Sequence, residues 1–209
     1  MVKVKICGLK RKEDIEYVNL TKPDYAGFVF AGVKRKIDFK TAEYLRSLLD
    51  DKIQAVGVFV DEPIENIAAL CKADTIDLIQ LHGGEDENYI DKLRQKTGAK
   101  IIKAVKVELT IDGGQLNSQT VNFKRLAQSK ADFILFDSGA GSGKTFDWNL
   151  IKGYDKPFFL AGGLNKDNIE KAVKTLNPYC VDLSGGVETN GLKDFDKISE
   201  IIKITRNLQ

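Results

Sequence analysis

Val2-Lys3-Val4-Lys5-Ile6-Cys7-Gly8 is the first of eight short stretches that set the fold of this chain. Val2, Val4 and Ile6 alternate with two lysines, and this period of two predicts a half-buried strand. The strand ends on the thiol of Cys7, and the glycine that follows allows the backbone to turn. We therefore expect Cys7 to lie at the carboxyl end of the first strand.

Seven further stretches have the composition of strands. Several of them are almost continuously apolar, which is typical of strands that are buried on both faces. The first stretch gives a strand at Val2–Ile6, and the others are Tyr25–Phe30, Ala55–Val60, Leu78–Leu81, Lys100–Val105, Phe133–Asp137, Phe158–Ala161 and Cys180–Leu183.

Between the strands, apolar residues recur at helical spacing. The predicted helices are Glu13–Leu20, Lys40–Leu49, Glu65–Cys71, Glu87–Thr97, Val121–Ser129, Lys166–Leu176 and Asp194–Asn207, with only a short helix near Asp147–Lys152. Alternating strands and helices predict βαβ units and a parallel sheet. Eight units in 209 residues indicate an α/β fold, a single (β/α)8 TIM barrel domain with a parallel eight-stranded sheet over residues 1–209. An open, doubly wound sheet is the alternative.

The composition excludes several classes of protein. The chain is 43% hydrophobic and carries 32 basic against 30 acidic residues, so neither nucleic acid nor an anionic membrane is an expected partner. No apolar run approaches the roughly 20 residues of a membrane span. The three cysteines are widely spaced, which argues against a disulfide framework or a zinc site. The N-terminus has the pattern of a charged strand rather than a signal peptide, and we expect a cytoplasmic protein.

Two candidate catalytic residues lie at strand ends, where a barrel places its active site. Cys7 follows the first strand, although a free cysteine is most often a small buried hydrophobe, the class in which Cys71 and Cys180 remain. Asp137 follows four apolar residues, a position that favours a partly buried acid with a raised pKa, able to donate a proton. Its structural alternative is a cap for the following loop.

Two other side chains at strand ends are candidates for substrate binding. Arg35 lies in a basic turn after the second strand, where its guanidinium could hold a carboxylate through two hydrogen bonds, or could simply be solvated. His82, the only histidine, follows the fourth strand. A histidine titrates near neutral pH and suits acid–base work, but a structural or substrate-lining role is equally consistent with the sequence.

Two glycine pairs predict a phosphate site. Gly162-Gly163 and Gly185-Gly186 follow the seventh and eighth strands, where barrels commonly bind phosphate through backbone N–H groups. A short extra helix often assists, and Gly191–Asp194 is the segment expected to open it. The run Ser138–Thr145 resembles a P-loop but has serine where its first glycine should be, so we expect a flexible loop in which Lys144 faces the substrate.

Taken together, six motifs resemble phosphoribosylanthranilate isomerase of tryptophan biosynthesis. They are Lys5–Gly8, Gly57–Val60, Gln80–Gly83, Gly143–Trp148, Leu160–Leu164 and Asp182–Glu188. The resemblance runs nearly from end to end and implies a single barrel. It also implies an Amadori rearrangement of N-(5-phosphoribosyl)anthranilate to 1-(2-carboxyphenylamino)-1-deoxyribulose 5-phosphate, with no metal and no organic cofactor.

The resemblance further implies a role for each candidate residue. Asp137 is the acid that protonates the furanose ring oxygen, and Cys7 is the base that removes the proton from C2 of the sugar. Arg35 pairs with the anthranilate carboxylate, a role that Lys34 or Lys36 could share. The remaining substrate-binding residues are His82, which lines the site, the glycines that hold the 5-phosphate, Gly162, Gly163, Gly185 and Gly186, and Ser184, which could add a hydroxyl.

Two features depart from the family pattern. The turn before Arg35 lacks the usual serine-containing lead, and Gly185 stands where a second serine is common. Three other classes of protein are alternatives. The related isomerase of histidine biosynthesis has a second phosphate site in its first half, which Gly83-Gly84 could imitate. It uses an aspartate at the position of Cys7, however, so Cys7 argues against it. A silent sugar-phosphate-binding protein need not keep both Cys7 and Asp137, and a structural barrel leaves the strand-end residues unexplained.

We expect a monomer whose partner is a small phosphosugar.

Overall fold

Eight parallel strands close into a barrel in which each strand pairs with its neighbours in chain order. The computed structural model describes residues 1–107, 109–112, 115–118, 123–139 and 145–208, with the backbone alone for 109–112 and 115–118. The predicted barrel is therefore confirmed. The strands are β1 (Lys3–Cys7), β2 (Tyr25–Val29), β3 (Gln54–Phe59), β4 (Leu78–Leu81), β5 (Lys100–Lys106), β6 (Phe133–Asp137), β7 (Phe158–Leu160) and β8 (Cys180–Leu183).

Helices connect the strands and cover the outside of the barrel. They are α1 (Lys12–Thr21), α2 (Phe39–Leu48), α3 (Ile64–Lys72), α4 (Glu87–Lys96), α5 (Phe123–Ala127), α6 (Ile169–Leu176) and α7 (Phe195–Asn207). In the sixth unit the described residues form only the short 3-10 helix Trp148–Leu150. None of the helices in the described part of the chain is long and apolar enough to cross a membrane.

Two antiparallel hairpins were not predicted. One pairs Leu109–Asp112 with Gln115–Ser118, and the other pairs Glu188–Thr189 with Leu192–Lys193. The prediction that Gly191–Asp194 opens a short extra helix was wrong, because this segment belongs to the second hairpin. Its turn is Asn190-Gly191, with φ of 54° and 77°, the left-handed pair that a two-residue hairpin turn requires. The short helix lies earlier, at Gly185–Val187.

Strand β1 is buried on both faces, contrary to the half-buried strand that its pattern predicts. Val4 and Ile6 face the apolar layer between the sheet and the helices, where they belong to the same cluster as Ile15. Lys5 faces the barrel interior and is 0% exposed. The alternation does place the apolar and polar side chains of β1 on opposite faces. Because the sheet closes into a barrel, however, the polar face points into the barrel interior and not into solvent.

The barrel interior is filled by an apolar layer with a polar layer above it. The apolar layer contains Tyr25, Val56, Leu78, Ile102, Leu135, Phe159 and Cys180. Closer to the carboxyl ends of the strands, Lys5 donates hydrogen bonds of 2.8 Å to both Asp182 and Gln80. Lys5 and Asp182 lie side by side in register on β1 and β8. The polar layer therefore forms the floor of the barrel's carboxyl-terminal mouth, on which Cys7 sits.

The buried ion pair provides a stability prediction. We expect Lys5→Met to lower the free energy of unfolding by about 3–5 kcal/mol, because the carboxylate of Asp182 would keep its burial and lose its cation. Urea-induced unfolding measures the change. The double variant Lys5→Met/Asp182→Leu should recover part of the loss, since no charge then remains unpaired.

The matched control is the exposed pair Lys12–Glu16, in which both side chains are more than half exposed. Lys12→Met should change the free energy of unfolding by less than about 1 kcal/mol, the usual limit for a surface ion pair. Equal effects of Lys5→Met and Lys12→Met would contradict the prediction.

Candidate active site

Cys7 lies at the carboxyl end of β1 with its thiol inside the barrel mouth. Gly27 makes room for it, because a Cβ at that position would lie 2.8 Å from Cys7 Sγ. Burial raises the pKa of Cys7, and Asp182 adds to this effect, whereas the ammonium groups of Lys5 and Lys193 lower it. The net shift is upward, so the thiol is neutral at pH 7 in the free protein.

Asp137 ends β6 and contacts the one histidine of the chain. Its Oδ2 lies 3.2 Å from His82 Nε2, and His82 Nδ1 lies 3.0 Å from the amide nitrogen of Gln80. The amide oxygen of Gln80 accepts from Lys5, so the amide nitrogen must donate to Nδ1. This leaves the imidazole proton on Nε2, directed at Asp137. The structure thus gives His82 a partner that the sequence did not indicate.

Arg35 turns inward from the loop after β2, while Lys34 and Lys36 are exposed. Its guanidinium donates from Nε and Nη2 to the two carboxylate oxygens of Glu188, at 2.7 Å each. The side chain passes over Gly8, where a Cβ would lie 2.3 Å from Arg35 Cδ. Gly8 also has φ of 82°, so both space and backbone conformation require glycine beside Cys7.

Glu188 and Lys193 belong to the site, although the sequence indicated no role for either residue. Lys193 is 5% exposed and donates to Glu188 Oε1 at 2.5 Å and to the Ser184 carbonyl at 3.1 Å. Burial alone would raise the pKa of Glu188, but hydrogen bonds from Arg35 and Lys193 lower it to about 2. The Asn190-Gly191 turn, a hairpin signal in the sequence, returns Lys193 to this position.

Ser184 links this cluster to Cys7. Its hydroxyl donates to the Cys7 carbonyl at 2.9 Å, and the Ser184 hydroxyl oxygen accepts from Lys193 Nζ at 3.3 Å. A donated bond from Ser184 to phosphate therefore requires the hydroxyl to leave the carbonyl of Cys7.

The two glycine loops touch each other at the barrel mouth. A Cβ on Gly186 would lie 1.9 Å from the Leu164 carbonyl oxygen, so the loops after β7 and β8 approach closely only because residue 186 is glycine. In the described part of the chain, the N–H groups of Gly163, Gly185 and Gly186 have no acceptor. Free backbone N–H groups at adjacent loops are suited to bind an anion.

All the predicted site residues lie in the loops or strand ends at the carboxyl-terminal mouth of the barrel. They are Cys7, Arg35, His82, Asp137, Gly162, Gly163, Ser184, Gly185 and Gly186. Lys144, which was predicted to face the substrate, lies outside the described residues.

Sequence comparison identifies the family. Residues 4–204 match the family model described as N-(5'-phosphoribosyl)anthranilate (PRA) isomerase. The chain belongs to the PRA isomerase family. The resemblance of the six motifs is thereby confirmed.

Related PRA isomerases align along their whole length. The protein of that name from Endomicrobium trichonymphae is 60% identical over 213 residues, with 100% of both chains covered. A PRA isomerase from Thermus thermophilus has a solved structure that superposes with a TM-score of 0.86 at 28% identity, with full coverage of both chains. Another PRA isomerase structure, 33% identical with a TM-score of 0.82, covers 99% of this chain and 100% of its own, and contains reduced 1-(o-carboxyphenylamino)-1-deoxyribulose 5-phosphate.

The raised pKa of Cys7 predicts how its reactivity depends on pH. Because the thiolate is the reactive form, we expect alkylation of Cys7 by iodoacetamide to accelerate about tenfold per pH unit from pH 7 to pH 9. Mass spectrometry of the Cys7 peptide measures the rate. Glutathione, whose thiol has an ordinary pKa, is the control, and its alkylation rate should level off near pH 9. An alkylation rate of Cys7 that reached a plateau below pH 8 would contradict the prediction.

Proposed function

We propose that this protein converts N-(5'-phosphoribosyl)anthranilate into 1-(2-carboxyphenylamino)-1-deoxyribulose 5-phosphate in tryptophan biosynthesis. The observation that carries the proposal is the family match over residues 4–204, combined with a thiol and a carboxyl group at the same barrel mouth. The reaction is an Amadori rearrangement, an aldose-to-ketose isomerisation that requires one acid and one base.

Asp137 acts as the acid. It protonates the furanose ring oxygen, the bond from that oxygen to C1 breaks, and a protonated Schiff base forms between C1 and the anthranilate nitrogen. His82 donates to Oδ2 of Asp137 and so fixes the carboxyl group, which leaves Oδ1 to carry the transferred proton. His82 is therefore a positioning residue beside the acid.

Cys7 acts as the base. Its thiolate removes the proton from C2 of the sugar, the electron pair moves toward the Schiff-base nitrogen, and the enolamine that forms tautomerises to the ketone. The thiol is neutral in the free protein, so Cys7 acts from a minor thiolate form that Lys5 and Lys193 favour against burial. Lys5 and Lys193 thereby contribute to catalysis by favouring the thiolate of Cys7, without contacting C2 themselves.

Substrate binding uses the two ends of the mouth. The N–H groups of the glycine loops hold the 5-phosphate, and Arg35 holds the anthranilate carboxylate. Arg35 is the better candidate than its neighbours, because the side chains of Lys34 and Lys36 are exposed. The chain acts as one domain over residues 1–209 and as a cytoplasmic monomer, with a phosphosugar and neither nucleic acid nor membrane as partner.

The catalytic roles are tested by turnover of phosphoribosylanthranilate generated in situ, with the loss of anthranilate-type fluorescence as the signal. We expect Cys7→Ala and Asp137→Asn each to lower kcat by about 10²–10⁴-fold, the usual contribution of a general base or acid. Both variants should still bind a reduced product analogue. Cys71→Ala, on helix α3, is the control, and full activity in either site variant would remove that residue from the mechanism.

Arg35→Ala should weaken substrate binding by about 1.5–3 kcal/mol, the scale of a hydrogen bond to a charged group. The comparison of KM between Arg35→Ala, Lys34→Ala and Lys36→Ala measures it. The two lysine variants should resemble the wild type because their side chains are exposed. A raised KM in a lysine variant with an unchanged value for Arg35→Ala would transfer the carboxylate role.

A further inference from the structure

Arg35, Glu188 and Lys193 form one charged cluster in the wall of the barrel mouth. Their side chains are 26%, 11% and 1% exposed, respectively. Two cations share a single carboxylate, which leaves one positive charge without a counter-ion inside the cluster. A negatively charged substrate group beside Arg35 would balance it.

Glu188 occupies only one edge of the guanidinium. It accepts from Nε and from Nη2 of Arg35, so both bonds lie along the same side of the planar group. The two N–H groups of Nη1 and the second N–H of Nη2 have no acceptor among the described residues. These donors form a second fork, whose geometry matches a carboxylate.

Glu188 is itself fixed in place. Lys193 holds its Oε1, and the buried ammonium of Lys193 is held in turn by the Ser184 carbonyl at 3.1 Å. The backbone carbonyl of Glu188 accepts from Lys197 Nζ at 2.7 Å. A substrate carboxylate that displaced Glu188 would leave Lys193 buried without its anion, which disfavours displacement.

We propose that Glu188, anchored by Lys193, is a positioning residue that presents the free fork of Arg35 to the substrate and thereby sets the preference for a substrate with a carboxylate on its aromatic ring. The inference rests on the proposed function, in which Arg35 binds the anthranilate carboxylate. It adds a structural source for that specificity, since an unsupported arginine at a loop would reach the same carboxylate in many orientations.

Two inhibitors test the inference. One is the reduced product with its ring carboxylate, and the other is the same phosphosugar with an unsubstituted phenylamino group. Their ratio of inhibition constants measures the preference for the carboxylate. In the wild type we expect a preference of about tenfold or more, the scale of a charge-assisted hydrogen bond. Glu188→Gln should reduce it at least about threefold and change the constant for the carboxylate-free inhibitor less than about twofold.

The sign of the change separates two roles. The glutamine amide would direct a donor at the Arg35–Lys193 pair, so a positioning role predicts a smaller preference. If Glu188 instead competes with the substrate for Arg35, its neutralisation would increase the preference and overturn the inference. Equal weakening of both inhibitors would also overturn it, because a general structural role does not distinguish them.

Glu85→Gln is the matched control. Glu85 is also a buried carboxylate paired with a lysine, Lys103 at 2.6 Å, but it lies in the loop after β4 and its partner lies on β5, away from Arg35. Glu85→Gln should leave the preference for the carboxylate-bearing inhibitor unchanged, even if it lowers the stability of the protein. Should Glu188→Gln not fold, Glu188→Asp serves, because a side chain one methylene shorter keeps the charge but cannot span both cations, and an unchanged preference there would overturn the inference.

Turnover by the wild type keeps this inference separate from the proposed function. Wild-type protein that neither converts phosphoribosylanthranilate nor prefers the carboxylate-bearing inhibitor would refute the proposed function. Wild-type turnover with a preference that Glu188→Gln retains would refute the positioning role of Glu188 alone.

Discussion

The site depends on the ion pair between Lys5 and Asp182. The two residues lie in register on β1 and β8, where the first and last strands of the sheet meet. Within the barrel a lysine that is 0% exposed is tolerable only because a carboxylate and the amide oxygen of Gln80 accept hydrogen bonds from its ammonium group. A slip of one residue in β1 would move Lys5 into the apolar layer beneath the helices, so the pair also opposes an incorrect register.

The pair determines the geometry of the groups above it. Because Lys5 takes the amide oxygen of Gln80, the amide nitrogen is left for His82, and the imidazole proton is directed at Asp137. The acid at the end of β6 is therefore oriented by a cation on β1, through a glutamine on β4 and the histidine that follows β4. The same cation opposes the burial that keeps the Cys7 thiol neutral. One buried charge thus acts on both reacting groups.

The sequence predicted what local pattern determines. The ends of all eight strands were predicted to within one residue, because apolar runs, period-two alternation and flanking glycines are local features. The environment of β1 was not predicted, because Lys3 and Lys5 look alike in sequence. Lys3 lies 5.3 Å from the rings of Tyr25 and Tyr179, whereas Lys5 bonds to Asp182. The hairpin at Asn190-Gly191 was missed for a different reason. Its Asn-Gly turn is a local signal that the sequence contains, so it could have been predicted.

The candidate site divides in the same way. Cys7, Asp137 and the glycine pairs follow strands, and a barrel brings strand ends to one mouth, so position along the chain was sufficient to find them. Their partners could not be found in this way, because Lys5 meets Asp182 across 177 residues and Arg35 meets Glu188 across 153. These partners converge where β1 joins β8. It follows that a barrel loosened at this junction would lose the cations around Cys7 and the support of Arg35. It would also lose the hydrogen bond from Lys5 that orients Gln80 and His82, and through them Asp137.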